Sequence, residues 1–345
     1  MRRLTALLLM IAMAAACGEE GSENNPVTIT LMAHDSFAEA ATGETFAEFT
    51  AETGHQVEIL AAGDAGAMVN QAILTADNPV ADLMFGVDDT FLTRAVAAGI
   101  FEPFTSSLIA SVPENLRVGG DSVTPIDFGD VCLNFDKAAF SDELPPPRGL
   151  DDLIDPAYRG MLVVEDPSTS SPGLAFLLAT IDIYGEGGWQ NYWRGLEQND
   201  VLIARGWTEA YYGDFSGGGG EGDRPLVVSY ASSPPAEVIF SETPLDEAPT
   251  GVITEGCYRQ VEFAGILRGA DHRRPAGELI DFMLSRAFQE TIPLTWFVFP
   301  ANGEAALPPE FVEHTVIPTE PVQTDPAAIE ENRESWLEQW ADIVR

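Results

Sequence analysis

Residues 57–90, VEILAAGDAGAMVNQAILTADNPVADLMFGVDDT, carry the pattern that sets the fold class. Val57 to Ala61 reads as a strand that ends in Gly63-Asp64-Ala65-Gly66, and the helix after it has Met68, Ala72 and Ile73 on one face. Asp82 to Phe85 is the next strand, and Gly86-Val87-Asp88-Asp89 leads into a helix over Thr90 to Ala98. A helix that starts directly after a strand points free backbone N–H groups at whatever lies there. This alternation predicts an α/β sheet whose ligand edge is formed by the loops at the carboxyl ends of the strands.

Upstream, Val27 to Met32 is an apolar strand followed by His34-Asp35-Ser36-Phe37, and Glu44 to Thr53 is a helix stopped by Gly54. Downstream, Val123 to Asn134 reads as a crossing segment, and Pro145-Pro146-Pro147 marks a surface break. A second α/β unit starts at Met161-Leu162-Val163-Val164 and turns through Asp166-Pro167-Ser168-Thr169-Ser170-Ser171-Pro172-Gly173. Its helix has Leu174, Leu177, Leu178 and Ile181 on a core-facing stripe, and Trp189, Tyr192, Trp193 and Leu196 repeat that spacing as packing residues. Val201 to Ala204 is a strand, Tyr258 to Ala264 a return strand, and Ala276 to Leu284 a helix. A terminal helix starting at Pro326, with Asp325 as N-cap, carries Trp336, Leu337 and Trp340.

Between the Val201 strand and the return strand lies a stretch rich in site-type residues. Gly206-Trp207-Thr208-Glu209-Ala210-Tyr211-Tyr212 leads through the glycine loop at 217–220 to Leu226-Val227-Val228, which delivers Ser229-Tyr230-Ala231-Ser232-Ser233-Pro234. Aromatic faces attract cations, hydroxyls fix orientation and a carboxylate balances positive charge, as a pocket for a flat charged molecule requires. The competing reading makes Trp207 and Tyr230 ordinary core or surface aromatics.

The 345 residues include 55 acidic against 17 basic side chains, a net charge of -38. Such a chain repels nucleic-acid phosphates and anionic lipid. The acidity fits high solubility, a cationic ligand or a saline habitat. Arg2 and Arg3 precede a short apolar run from Leu4 to Ala16, which reads as a signal segment too short to span a bilayer. Ala14-Ala15-Ala16-Cys17 resembles a lipoprotein signal in which Cys17 is lipidated, and 18–26 read as a flexible tether. Cys132 and Cys257 remain for an oxidising compartment, where a disulfide persists, with two buried thiols as the alternative.

The ordered set Asp35-Ser36-Phe37, Asp127-Phe128-Gly129, Ser170-Ser171-Pro172-Gly173, Gly206-Trp207 with Glu209-Ala210-Tyr211, Ser229-Tyr230 with Ser233-Pro234, and Trp296 with Pro300-Ala301-Asn302 resembles the thiamine-binding proteins of bacterial ABC importers. The resemblance implies an α/β, two-lobe periplasmic-binding-protein fold of type II, with two β crossovers forming a hinge. The expected division is 1–26 signal and tether, 27–130 first lobe, 131–257 second lobe, and 258–345 returning to the first lobe with the C-terminal helices. It implies capture of thiamine, its monophosphate or its diphosphate and delivery to an ABC permease and its ATPase. The expected receptor is a monomer held to the outer face of the cytoplasmic membrane by lipid alone, without cofactor or catalysis.

Site residues carried over by the resemblance are Asp64, Ser170, Trp207 and Tyr230. His34, Asp35, Ser36, Asp88, Ser171, Gly173, Tyr211, Ser233 and Trp296 complete the candidate set, with Asp88 also readable as a helix cap. His34, Ala41 and Ala236 stand where the family carries aromatics. A Cys132–Cys257 bond is expected where the crossing strands neighbour each other. The rival within the fold is a ferric iron receptor, to which adjacent Tyr211 and Tyr212 point, although neighbours on a helix do not face one ligand. An exported enzyme is the rival from another class, but the chain lacks phosphate-loop, nucleophile-elbow and His-Glu-x-x-His motifs.

Overall fold

The computed structural model describes residues 25–219 and 222–344. Cys17, the expected signal and the expected tether as far as residue 24 lie outside the described residues. One mixed sheet of nine strands runs through the molecule. In chain order these are β1 (Thr28–Ala33), β2 (Gln56–Ala61), β3 (Leu83–Asp88), β4 (Thr124–Asp136), β5 (Leu162–Glu165), β6 (Leu202–Ala204), β7 (Leu226–Tyr230), β8 (Thr250–Ile266) and β9 (Phe299–Pro300). The order across the sheet is β2-β1-β3-β8-β4-β7-β5-β6, with β9 on β4.

The helices are α1 (Asp35–Ala40), α2 (Ala47–Thr53), α3 (Ala65–Leu74), α4 (Asp89–Ala97), α5 (Ser171–Tyr184), α6 (Gly188–Gln198), α7 (Pro234–Ile239), α8 (Arg273–Met283), α9 (Arg286–Gln289), α10 (Ile292–Thr295), α11 (Pro309–His314) and α12 (Pro326–Val344).

Each lobe is a small parallel sheet, because its strands return through helices. β1 pairs in parallel with β2 and β3, and β5 with β6 and β7. β3 is buried along its whole length, as a central strand covered on both faces must be. α5 is apolar almost all round and buried from Ser171 to Thr180, whereas α6 buries one stripe, Trp189, Tyr192, Trp193 and Leu196.

β4 and β8 are the crossovers. They pair antiparallel from Thr124↔Ala264 to Asp136↔Thr250, with irregularities at Pro125/Asp127 and Val131/Leu133. The junctions expected at 130/131 and 257/258 lie within these strands, where Val131 pairs with Tyr258. At that second irregularity Cys132 and Cys257 are joined by a disulfide, their Cα atoms 4.4 Å apart.

The C-terminal helix does not sit on the first lobe alone. The Arg333 guanidinium of α12 lies 4.6 Å from the Phe91 ring of α4, and Trp340 meets Trp193 of α6 edge-on at 5.6 Å. α12 therefore packs on both lobes. Among the described residues no helix is long and apolar enough to cross a membrane.

Candidate functional site

A cavity of about 370 Å³ lies between the lobes at the carboxyl ends of their strands. The first lobe supplies His34 after β1, Ser36, Asp64 after β2, Glu262 of β8, and Trp296 to Val298. The second supplies Ser171, Trp207, Tyr211, Tyr212, Tyr230, Ser233, Ala236 and Phe240.

Trp207 is fixed on three sides. Its Nε1–H donates to Ser229 Oγ at 2.9 Å, its backbone N–H donates to Asp64 Oδ2 at 3.1 Å, and its ring stacks on Tyr211 at 5.0 Å and 15°. Glu209 to Asp214 form a π-helical turn, closed by Phe215 N–H on the Ala210 carbonyl at 2.9 Å. A π turn makes one residue of extra room in a helix and is common at functional sites. Here it presents Tyr211 and Tyr212 at 84° to each other, and the Tyr211 hydroxyl donates to Glu237 at 2.9 Å. Tyr230 lies over Gly129, where a Cβ would stand 2.7 Å from its ring, so the glycine of Asp127-Phe128-Gly129 makes space for the cavity wall.

The floor is a buried polar network. Trp296 Nε1–H donates to Asp127 Oδ2 at 3.0 Å, Tyr230 Oη–H to Gln260 Oε1 at 3.2 Å, and Gln260 Nε2–H to Glu262 Oε1 at 3.3 Å. His34 Nδ1 accepts from Phe37 N–H at 3.2 Å, which leaves Nε2 facing Glu262 Oε1 at 3.5 Å. Burial pushes the Glu262 carboxyl up to about 8, raises Asp127 well above the carboxylate range with Glu262 beside it, and lowers His34.

Hydrogen bonds join the lobes beside the cavity. Besides Trp207 on Asp64, Ser171 Oγ–H donates to Asp88 Oδ1 at 2.7 Å and Gly66 N–H to the Thr169 carbonyl at 2.8 Å. A Cβ on Gly66 would come within 2.8 Å of the Ser168 and Thr169 carbonyls, so only glycine permits this approach.

The structure brings His34, Ser36, Asp64, Ser171, Trp207, Tyr211, Tyr230, Ser233 and Trp296 to the cavity. Asp35, Asp88, Ser170 and Gly173 stand behind it. Asp35 accepts from Gly63 N–H at 2.9 Å and so ties α1 to the β2–α3 turn. Asp88 caps α4 through Thr90 N–H and Thr90 Oγ1–H, and its carboxyl is pushed up to about 6 by burial. Ser170 is the fully buried N-cap residue of α5. A Cβ on Gly173 would sit 2.5 Å from the Glu165 carbonyl, so its role is close packing of helix on strand. Sequence reasoning passed over Glu262, Phe240 and Phe297. The two phenylalanines meet edge-on at 5.4 Å beside Ala236 and restore aromatic wall there.

Residues 78–321 match the family described as bacterial extracellular solute-binding protein. The chain belongs to this family. It is 30% identical over 339 residues to a thiamine-binding periplasmic protein of Brucella suis, covering 96% of this chain and 97% of the relative. A solved structure of a periplasmic thiamin binding protein superposes with a TM-score of 0.80 at 27% identity, over 92% of this chain and 96% of that one. Iron uptake protein A1 of a Synechocystis species is 27% identical over 74% of this chain and 71% of its own length. Family membership places the protein outside the cytoplasm as a type II solute-binding protein with two lobes and a hinge of two strands.

Proposed function

We propose that the protein captures thiamine in the interlobe cavity and hands it to an ABC import permease. One observation carries the reading: the cavity combines flat aromatic faces, Trp207, Tyr230 and Trp296, with the acidic side chains of Glu39, Asp64 and Glu262, and no Lys or Arg stands among the described lining residues. Thiamine is flat and permanently cationic, so each desolvated contact between its thiazolium ring and an aromatic face contributes about 1–2 kcal/mol. The similarity to thiamine-binding periplasmic proteins supports the same ligand. Asp64 would accept from its hydroxyethyl group, and Ser171, at the start of α5, would face that side or a phosphate there. His34, Ser36, Tyr211 and Ser233 would orient the pyrimidine, while Asp35, Asp88, Ser170 and Gly173 hold the walls.

The same reading makes the protein a monomeric, non-catalytic receptor, with 27–130 and the return segment forming one lobe and 131–257 the other. Lipidated Cys17 would hold it at the outer face of the membrane. Iron fits the cavity less well. A ferric ligand tyrosine must be a phenolate, and burial beside Glu237 drives the Tyr211 hydroxyl well away from ionisation.

Titration calorimetry with thiamine, its monophosphate, its diphosphate and ferric iron tests the ligand. Binding of ferric iron with a visible charge-transfer band and no binding of any thiamine form would refute it. Mass spectrometry of the native N-terminal peptide tests the anchor, and an unmodified Cys17 would rule it out.

A further inference from the structure

Asp127 of β4 and Glu262 of β8 are direct partners in the strand register, 135 residues apart in the chain. Both side chains are buried, and among the described residues Asp127 Oδ1 has no hydrogen-bond partner. Two buried carboxyls paired in the strand register cannot both stay ionised without a cation beside them, so protonation is the stable state. The other donors around them are neutral: Trp296 on Asp127, and Gln260 and the Nε2 side of His34 on Glu262. The charged groups that act on Glu262 from the neighbouring elements are Asp64 before α3 and Asp88 and Asp89 at the start of α4, all acidic. Among the described lining residues no cation offsets them. Glu262 lines the cavity while Asp127 lies beneath it. The pair is therefore a store of suppressed negative charge, with one member exposed to whatever enters.

We propose that Asp127 and Glu262 each hold a proton in the empty cavity and that Glu262 is the residue that selects for positive charge, its proton giving way to the cationic ring of the ligand. The proposal rests on the reading that the solute is thiamine. On binding, the Glu262 O–H bond breaks, the proton leaves to solvent, and the carboxylate remains as counter-charge. Asp127 keeps its own proton and donates to Glu262, and His34 Nε2–H supports the new charge. Burial holds Glu262 at about 8 before binding, so at neutral pH it has a proton to give up.

Calorimetry on the wild-type protein and Glu262→Gln at pH 7, in two buffers of different ionisation enthalpy, tests this. The probes are thiamine and 3-deazathiamine, its uncharged analogue with carbon in place of the thiazolium nitrogen. Wild type is expected to prefer thiamine by about 10- to 100-fold and to release protons on binding it. Glu262→Gln, which keeps size and hydrogen bonding, is expected to lose most of that preference and to release none. Asp127→Asn can donate to an ionised Glu262 before any ligand arrives, so it is expected to bind thiamine with reduced proton release. A Glu262→Gln protein with the wild-type preference and proton count overturns the proposal. A merely structural role for the pair would change stability and move neither readout. Failure of wild type to bind thiamine would overturn the ligand reading instead. Infrared titration of the empty protein then still judges the pair. A protonated-carboxyl band that titrates in wild type and is lost in Glu262→Gln supports it, and the absence of such a band overturns it.

Discussion

The backbone N–H of Trp207, in the second lobe, donates to the carboxylate of Asp64, in the first, across 3.1 Å. The other Asp64 oxygen accepts from Ala65 N–H at 2.7 Å and caps α3. One carboxylate thus starts a helix, borders the cavity and fastens the lobe that carries the principal aromatic wall.

Replacing Asp64 by Ala should remove the cap and the bridge together. The cap alone is worth about 1 kcal/mol of stability. The unliganded protein should also populate more open shapes, read as a larger radius of gyration in small-angle scattering. An unchanged scattering profile would show that the bridge does not hold the lobes.

Trp207→Ala should weaken thiamine binding by about 2–4 kcal/mol, the range of a buried hot spot. Thiamine should quench tryptophan emission in wild type, and most of that change should vanish with Trp207. Trp193 is fully buried, donates to Thr180 Oγ1 at 3.0 Å and meets Trp340. Trp193→Ala should cost about 3–5 kcal/mol of stability and leave the affinity of the folded fraction nearly unchanged. Equal thiamine affinity in Trp207→Ala and wild type would place the site elsewhere.

The buried carboxyls give stability a definite pH slope. Burial raises Asp88 to about 6, and Asp89 and Glu262 to about 8. In the unfolded chain such groups ionise near pH 4, so across that window the folded state binds more protons. Stability is full at the low end and should fall as pH rises from about 4 to about 8. Surface carboxyls lowered by arginines, such as Asp152 and Glu209, act in the opposite sense, but only below the same range. Melting temperatures at fixed ionic strength between pH 5 and pH 8 check the sign. Asp89→Asn should flatten the slope, and a melting temperature that climbs through this range would contradict the account.

The Cys132–Cys257 bond closes a loop of sequence separation 125. In the chain-entropy model such a crosslink contributes about 5 kcal/mol by restricting the unfolded chain. The double Ser variant should unfold at markedly lower denaturant concentration. Coincident unfolding curves for wild type and variant would show that the crossovers hold without it.

Much of this was legible because it is local. Strand and helix periods fixed the two α/β units, and Asp88 followed by Asp89 before Thr90 reads as a cap, which it is. Gly173 looked like part of a ligand turn. Its reason is a close approach to Glu165, which only the packed helix and strand reveal. Glu262 was invisible for a different reason. In Gln260-Val261-Glu262-Phe263 a glutamate alternating with apolar neighbours reads as the wet face of a strand. Pairing with Asp127, a contact between distant parts of the chain, turns that face into a cavity floor. The placement of α12 is equally non-local: Trp340 finds Trp193, and Arg333 finds Phe91, only after both lobes exist.

That helix changes how the receptor must move. The two crossover strands can flex, but a helix of 19 residues, about 28 Å long, behaves as a rod on this scale. Because the rod rests on α4 at one point and α6 at another, the lobes cannot swing without sliding one of those contacts. The angle at which the receptor gapes is then governed by side chains that never meet the solute. Substitutions at Arg333 or Trp340 would act as a change of gearing, altering how quickly cargo is let go while the cavity walls stay as they were.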